Sequence, residues 1–264
     1  MPTDVNRQDF STLVITGGSS GIGQAILEYF LQAFPNAQAI NLSRSEPSIQ
    51  GGAGRLQHIP VDLTDAAALE EAAGNVIDSL HKRPGHVLLV NNSGVGKHCR
   101  FQECDHKSVL DTIDLNVRAS LHLTGRLLPS LLEHGGCIVN VASTSAFQPT
   151  PWMATYGATK SFLLNWTLAL NEELRGTSVR TLALCPGATD TEFIPKAGFT
   201  RPVRSFWAIS TTEDVVDALF RGMERDRPLI VPGGVNRMLA CAATLGSKAL
   251  ATYVAGWLIG RSKT

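Results

Sequence analysis

Short apolar runs alternate with stretches of helical periodicity along most of the chain, and this alternation limits the fold more than any other feature. Leu13, Val14 and Ile15 stop at a Gly/Ser cluster, and a helical pattern follows at Ile22, Ala25, Ile26, Tyr29 and Phe30. Further strand candidates lie at 37–42, 56–61, 86–90, 137–141, 179–184 and 229–231. Helical patterns occupy about 65–80, 108–132 and 156–174, and run from Thr212 or Glu213 to 224. Asp62 or Thr64 is available to cap the helix that opens near Asp65. Short apolar runs bounded by turn formers read as buried strands. Strands joined through helices cannot form hairpins, so the expected fold is α/β, a doubly wound parallel sheet covered on both faces. The length of 264 residues suits one such unit, and no repeat, low-complexity tract or linker divides it.

Charge gives little direction to partners. Lys plus Arg and Asp plus Glu each number 23, so no electrostatic argument favours nucleic acid or an acidic membrane. Five scattered cysteines, Cys99, Cys104, Cys137, Cys185 and Cys241, include no Cys-x-x-Cys pair. The odd count fits a reducing cytoplasm, and residues 1–10 lack an apolar signal core. No metal is expected, because His98-Cys99 has no partners at zinc spacing. The tail at 237–261 is rich in Leu, Ala and Met but is interrupted by Gly246, Lys248 and Gly256. The interruptions predict a helical extension packed on the protein or on a partner subunit, with peripheral membrane contact as the second reading.

The turn after the first strand carries chemistry. Thr16-Gly17-Gly18-Ser19-Ser20-Gly21-Ile22-Gly23 joins a strand to a helix in a Gly-x-x-x-Gly-x-Gly spacing. Backbone without Cβ can approach a pyrophosphate closely, and a helix N-terminus offers free N–H groups and positive dipole. A plain glycine-rich loop is the bland alternative. The second strand ends Asn41-Leu42-Ser43-Arg44, with no acid before Glu46. An acid at this place would grip the ribose hydroxyl of NAD, whereas an arginine accommodates the 2′-phosphate of NADP. Arg44, helped by Ser43, therefore points to NADP, with NAD as the alternative.

Tyr156 and Lys160 stand at i and i+4, so they share one helix face. A phenol with a pKa of about 10 is a poor base at neutral pH. A neighbouring ammonium, with a positively charged nicotinamide ring, is expected to lower that value and make Tyr156 a usable acid or base. The pair alone is a weak signal, since such spacings arise by chance.

Taken together, these motifs resemble the short-chain dehydrogenase/reductase family, in its single-domain branch of about 250 residues. The glycine turn, Asn91-Asn92-Ser93-Gly94 after the fourth strand, a serine after the fifth and Tyr-x-x-x-Lys occur in the family's order, and the match spans nearly the whole chain. Ser93 stands where the family usually has Ala. The resemblance implies a Rossmann-type sheet and one dinucleotide-binding and catalytic domain over 1–264. It also implies hydride transfer between NADP(H) and a carbonyl or alcohol. Ser143, thirteen residues before Tyr156, would orient the substrate oxygen, and strand alternation favours it over nearby Thr144 and Ser145. Tyr156 would exchange the proton, and Lys160 would hold the nicotinamide ribose. Asn116 would kink its helix and hold a water that links Lys160 to solvent.

Cofactor contacts also follow from the resemblance. Gly17, Ser19, Ser20, Gly21, Ile22 and Gly23 would meet the diphosphate, with Ser43 and Arg44 on the 2′-phosphate. Asp62 and Leu63 would lie at the adenine, and Asn91, Ser93 and Gly94 near the ribose. Pro186 and Gly187 would wall the nicotinamide, with Thr189 and Thr191 near its amide or phosphate. Phe147, Trp152, Met153, Phe193, Ile194, Phe199, Phe206 and Trp207 suggest a hydrophobic substrate pocket. The long helices from about 108 and from 156 would form homodimer or homotetramer faces. The rival reading is an NADP-binding regulatory protein with weak catalysis.

Overall fold

The computed structural model describes residues 10–49, 52, 54–199 and 209–260. Phe206, Trp207 and the last residue of the expected tail, Arg261, lie outside the described residues.

Seven strands form one sheet: β1 (Thr12–Thr16), β2 (Gln38–Ser43), β3 (Leu56–Pro60), β4 (Val87–Asn91), β5 (Gly136–Val141), β6 (Val179–Leu184) and β7 (Leu229–Ile230). Their order is β3-β2-β1-β4-β5-β6-β7, and every pairing is parallel. This is the Rossmann-type sheet. The chain runs outward from β1 to β3 and then returns to place β4 on the other side of β1. The carboxyl ends of β1 and β4 therefore flank a crevice at the point of reversal, where ligands of such sheets bind.

Helices cover both faces. On one side lie α1 (Gly21–Ala33) and α7 (Thr212–Glu224), which pack Ile26, Leu27, Phe30, Val215 and Leu219 against Leu13, Ile15, Leu88 and Val90. On the other lie α2 (Ala66–Lys82) and α4 (Ala119–His134), which bury Leu69, Val76, Leu123 and Leu127 against Val14, Ile40 and Leu89. Successive strand residues thus feed opposite cores, as a period of two requires. Each fully buried Leu, Ile or Phe contributes about 1.5–3 kcal/mol of apolar burial. Among the described residues the remaining α-helices are α3 (His106–Ile113), α5 (Ala154–Glu173), the short α6 (Phe193–Ala197), α8 (Gly234–Leu245) and α9 (Lys248–Gly260).

Local chemistry corrects three expectations. The helix near 65 is capped by Asp65 itself, whose Oδ1 accepts from Ala67 N and Ala68 N at 2.9 and 3.1 Å. Asp62 instead folds a turn, accepting from Thr64 N at 2.9 Å and Thr64 Oγ1 at 2.7 Å. The helical pattern at 108–132 is two helices, α3 and α4, joined by a π-helical turn at Asp114–Arg118. Asn116 lies in that turn, and wide i→i+5 turns of this kind bend a helix and often mark functional positions. The cysteines are not all unpaired: Cys99 and Cys104 form a disulfide with Cα atoms 5.7 Å apart. Cys137 and Cys185 are buried free thiols and Cys241 is an exposed one. Cysteine usage therefore does not by itself place the chain in a reducing compartment. The tail forms α8 and α9, and no described helix is long and apolar enough to cross a membrane.

Candidate active site

The glycine turn links the end of β1 to the first turn of α1. Gly17 has φ of +68°, a conformation that a side chain would strain. At Gly23 an added Cβ would lie 2.3 Å from Gly17 O and 2.4 Å from Asn92 Nδ2, so the helix can start this close to the turn only with glycine. Ser20 occupies the N-cap of α1 but makes no side-chain cap bond. Part of the helix's N-terminal donor set is thus left to another acceptor. Ile22 leans partly into the core beneath the turn, and Ser19 is half-buried beside it.

Two asparagines hold this cradle from neighbouring strands. Asn41 Oδ1 on β2 accepts from Gly18 N at 2.8 Å. Asn92 Nδ2 donates to Thr16 O and Gly17 O at 3.0 and 3.1 Å, and Thr16 Oγ1 accepts from Asn92 N and Ser93 N at 3.0 Å each. The sequence reading assigned no role to Asn41 or Asn92. Ser93 packs its hydroxyl against Gly17, where a Cβ would lie only 2.7 Å away.

The other expected cofactor residues divide between the crevice and the core. Arg44 is exposed at the end of β2, and its charge helps to hold the Asp62 carboxyl below its ordinary value, after the larger effect of the Thr64 hydrogen bonds. Ser43 is buried, with its hydroxyl accepting from Asn41 Nδ2 and donating to Ser45 O at 2.8 and 2.7 Å, so it is engaged within the turn. Leu63 belongs to the core under α2. The Asn91 side chain points into the body, donating to Thr124 Oγ1 and Asn140 Oδ1 at 2.9 and 2.8 Å. Thr191 stands across the cradle, its Cγ2 3.1 Å from where a Cβ of Gly21 would be. Thr189 is buried and donates to Gly187 O at 3.1 Å. Pro186 O accepts from Thr144 N at 2.9 Å, which ties the β6 loop to the serine loop. Gly187 is pressed by Asn236 of α8, whose Nδ2 would lie 2.5 Å from an added Cβ.

Ser143, Tyr156 and Lys160 converge at the carboxyl end of β5. Ser143 follows that strand in extended conformation, and its Oγ accepts from Ser145 N at 3.1 Å. Its side chain also comes close enough to the Tyr156 hydroxyl to favour the phenolate. This contact places Ser143, rather than Thr144 or Ser145, beside the phenol. Tyr156 and Lys160 face inward from α5, at 9% and 3% exposure. Lys160 Nζ donates to Val141 O at 2.7 Å and sits 5.8 Å from the Tyr156 ring centroid. Gly94 lies where a Cβ would be 3.1 Å from Lys160 Nζ and 3.3 Å from Asn116 Oδ1, so this glycine lets the β4 loop pass between them. Asn116 Nδ2 donates to Thr159 Oγ1 at 3.0 Å and to Val95 O at 2.9 Å.

Burial sets the electrostatics. It pushes the Tyr156 phenol up to about 12, while the Ser143 side chain pulls the other way. Burial lowers Lys160 to about 8, and nearby Cys185 acts in the opposite direction. The expected lowering was for the ammonium together with a positively charged nicotinamide ring; within the polypeptide, desolvation is the larger effect. A phenol held neutral is suited to donating a proton.

A cavity of about 380 Å³ opens beside Tyr156. Trp152 and Met153 line it, as expected, and Phe193 packs on the Tyr156 ring with centroids 5.2 Å apart. Phe199 stacks on His98 at 4.4 Å. Phe147 packs instead in the core with Ala142 and Leu163, and Ile194 borders a separate cleft at the start of α1. Much of the wall comes from the loop after β4, including Lys97, His98, Cys99, Glu103 and Asp105, which the sequence reading did not assign to the pocket. The cavity is thus apolar near the phenol and charged toward its rim.

The short chain dehydrogenase profile matches residues 11–199. The chain belongs to the short-chain dehydrogenase/reductase family. Among its relatives, serine 3-dehydrogenase of Agrobacterium fabrum is 32% identical over 187 residues, covering 69% of this chain and 73% of that one. Ketoacyl reductase HetN of Nostoc is 28% identical over 230 residues, covering 81% and 75%. A solved short-chain dehydrogenase from Sphingobium yanoikuyae, in complex with NADPH, has a TM-score of 0.75 at 27% identity, with 88% of this chain and 92% of that chain covered. The short-chain dehydrogenase/reductase assignment makes the protein an oxidoreductase acting on an alcohol or carbonyl group. Asn41, Asn92 and Asn236 escape the sequence reading because each acts on a turn distant in sequence, the first two from neighbouring strand ends and Asn236 from α8. Only the Asn-Asn pair ending the fourth strand offered a local signal.

Proposed function

We propose that this short-chain dehydrogenase/reductase reduces a carbonyl, or oxidises the matching alcohol, with NADP(H). The observation that carries the reading is the meeting of Ser143, Tyr156 and Lys160 at one strand end, beside both the glycine cradle and an apolar cavity. The cradle fits a dinucleotide, because Cβ atoms at Gly17 and Gly23 would fill the space that its backbone needs, and Ser20 leaves the start of α1 uncapped. Gly17, Gly21, Gly23 and the α1 N-terminus would hold the diphosphate, with Thr191 opposite. Arg44, exposed at the end of β2 where no acid comes before Glu46 in the sequence, would meet a 2′-phosphate, which favours NADP over NAD. The NADPH-bound Sphingobium structure supports the same choice.

The bound nicotinamide supplies the hydride. Ser143 and Tyr156 direct hydroxyls to the substrate oxygen, where negative charge grows during reduction. Tyr156 then gives up its proton, which its raised pKa keeps in place at neutral pH. Lys160, kept in position by Val141 O, holds the ribose and supplies positive charge near the developing phenolate. Asn116 fixes the turn of helix and the loop beside Lys160, where a water can relay protons. Trp152, Met153 and Phe193 favour an apolar group on the substrate, and the charged rim tolerates a polar end. Exposed Leu132 on α4 and Phe162 on α5 support self-association through these helices.

A panel of hydrophobic ketones, followed through loss of reduced cofactor, tests the assignment. Turnover with NADPH is the expected result. Tight nucleotide binding with no turnover across the panel would favour the regulatory alternative.

A further inference from the structure

The two C-terminal helices turn their bulky apolar rows away from the protein. On α8, Asn236 and Ala240 face the body, while Val235, Met238, Leu239 and Leu245 point outward at 48%, 64%, 39% and 84% exposure. These four recur at helical spacing, so they form one stripe. On α9 the arrangement repeats: Ala255 is buried, while Leu250, Tyr253 and Val254 are 63%, 74% and 45% exposed. An ordinary surface helix would place such residues toward the core.

Charge says what the surface meets. No Asp or Glu follows Asp226, whereas Arg227, Arg237, Lys248, Arg261 and Lys263 do. Arg237 and Lys248 are exposed on the helices themselves. A two-fold contact between two copies of this patch would bring like charges together. An apolar stripe flanked by cations, with a tyrosine among the outward side chains, suits the boundary between acyl chains and anionic headgroups.

We propose that α8 and α9 dock the protein on an anionic lipid surface, lying in the interface without spanning it. The same helices reach both sides of the active site. Asn236 presses on Gly187, Ile259 O lies 3.3 Å from His98 Nε2, and a Cβ on Gly256 would lie 3.3 Å from Pro151. The inner sides of the docked helices therefore abut the cavity wall, and a bilayer-dissolved substrate would reach the enzyme beside that wall. That last consequence rests on the enzymatic reading; the docking does not.

Flotation of the full chain with vesicles of phosphatidylcholine, or of phosphatidylcholine containing phosphatidylglycerol, tests the proposal. Binding to the anionic vesicles is expected, with weaker binding to the neutral ones and loss at high salt. The triple variant Met238→Glu, Leu250→Glu and Tyr253→Glu should bind the anionic vesicles about tenfold less or weaker still. It should keep wild-type turnover of a water-soluble ketone and wild-type sedimentation mass. Absence of wild-type binding, or equal binding by the variant, would overturn the proposal. So would a fall in sedimentation mass in the variant, which would assign the face to a second copy. Lack of turnover in both proteins would count against the enzymatic reading and leave the docking result intact.

Discussion

Asn116 grips Val95 through both ends of its amide, accepting from Val95 N and donating to Val95 O, each at 2.9 Å. The clamp joins the π-turn between α3 and α4 to the loop that carries Gly94 past Lys160. Asn116→Ala would leave Val95's N–H and C=O without these partners, at a cost of about 1–3 kcal/mol. Urea unfolding should show that loss, and turnover should fall because the loop no longer holds its place. Wild-type stability and turnover in the variant would count against this role.

Gly23→Ala probes the cradle. Its methyl would meet Gly17 O at 2.3 Å and Asn92 Nδ2 at 2.4 Å, so the turn must open. Overpacking of this kind costs about 1–3 kcal/mol, and if the strain falls on the bound geometry NADPH affinity drops about tenfold. Fluorescence titration with NADPH measures it; an unchanged dissociation constant would show that the cradle does not set affinity.

Much of this site was legible because the signals are local. The turn from Gly17 to Gly23 needs only neighbouring residues, and Tyr156 and Lys160 share a face through helix geometry alone. The contacts that hold them in place are not local. Asn41 reaches Gly18 from the adjacent strand, and Asn116 meets Val95 across a turn that an amphipathic pattern does not distinguish from ordinary helix. The Cys99–Cys104 pairing and the charged rim depend on the path of one loop, which periodicity does not encode. The apolar tail was visible, but the direction of its stripe depends on which small residues touch the body.

Arg44→Ala tests cofactor choice. The intact protein should bind NADPH more tightly than NADH, and removing the guanidinium should narrow the gap by about tenfold to a hundredfold, the worth of a charged hydrogen bond of about 1.5–3 kcal/mol. Equal affinities for the two cofactors in the intact protein would show that Arg44 does not read the phosphate.

Stability should depend on pH through Lys160. Its folded value of about 8 lies below its ordinary 10.5, so between these values the unfolded chain binds more protons and stability rises with pH. The lysine's contribution should rise by about 1 kcal/mol from pH 8 to 9. Cys137 and Cys185 have ordinary values of 9.0 raised to about 11 and about 12, so they oppose the lysine's contribution from about pH 8 upward. Tyr156, raised from 10.0 to about 12, adds to that fall above pH 10. Urea midpoints of the protein and of Lys160→Met across this range isolate the lysine. The same slope in both would contradict its assignment.

The central claim is that the Tyr156 hydroxyl transfers the proton. Steady-state reduction of the best ketone, measured together with NADPH binding for the intact protein and Tyr156→Phe, tests it most directly. Turnover should fall by about a hundredfold to ten-thousandfold, while NADPH affinity changes by no more than about tenfold. Undiminished turnover in the phenylalanine variant would contradict the account.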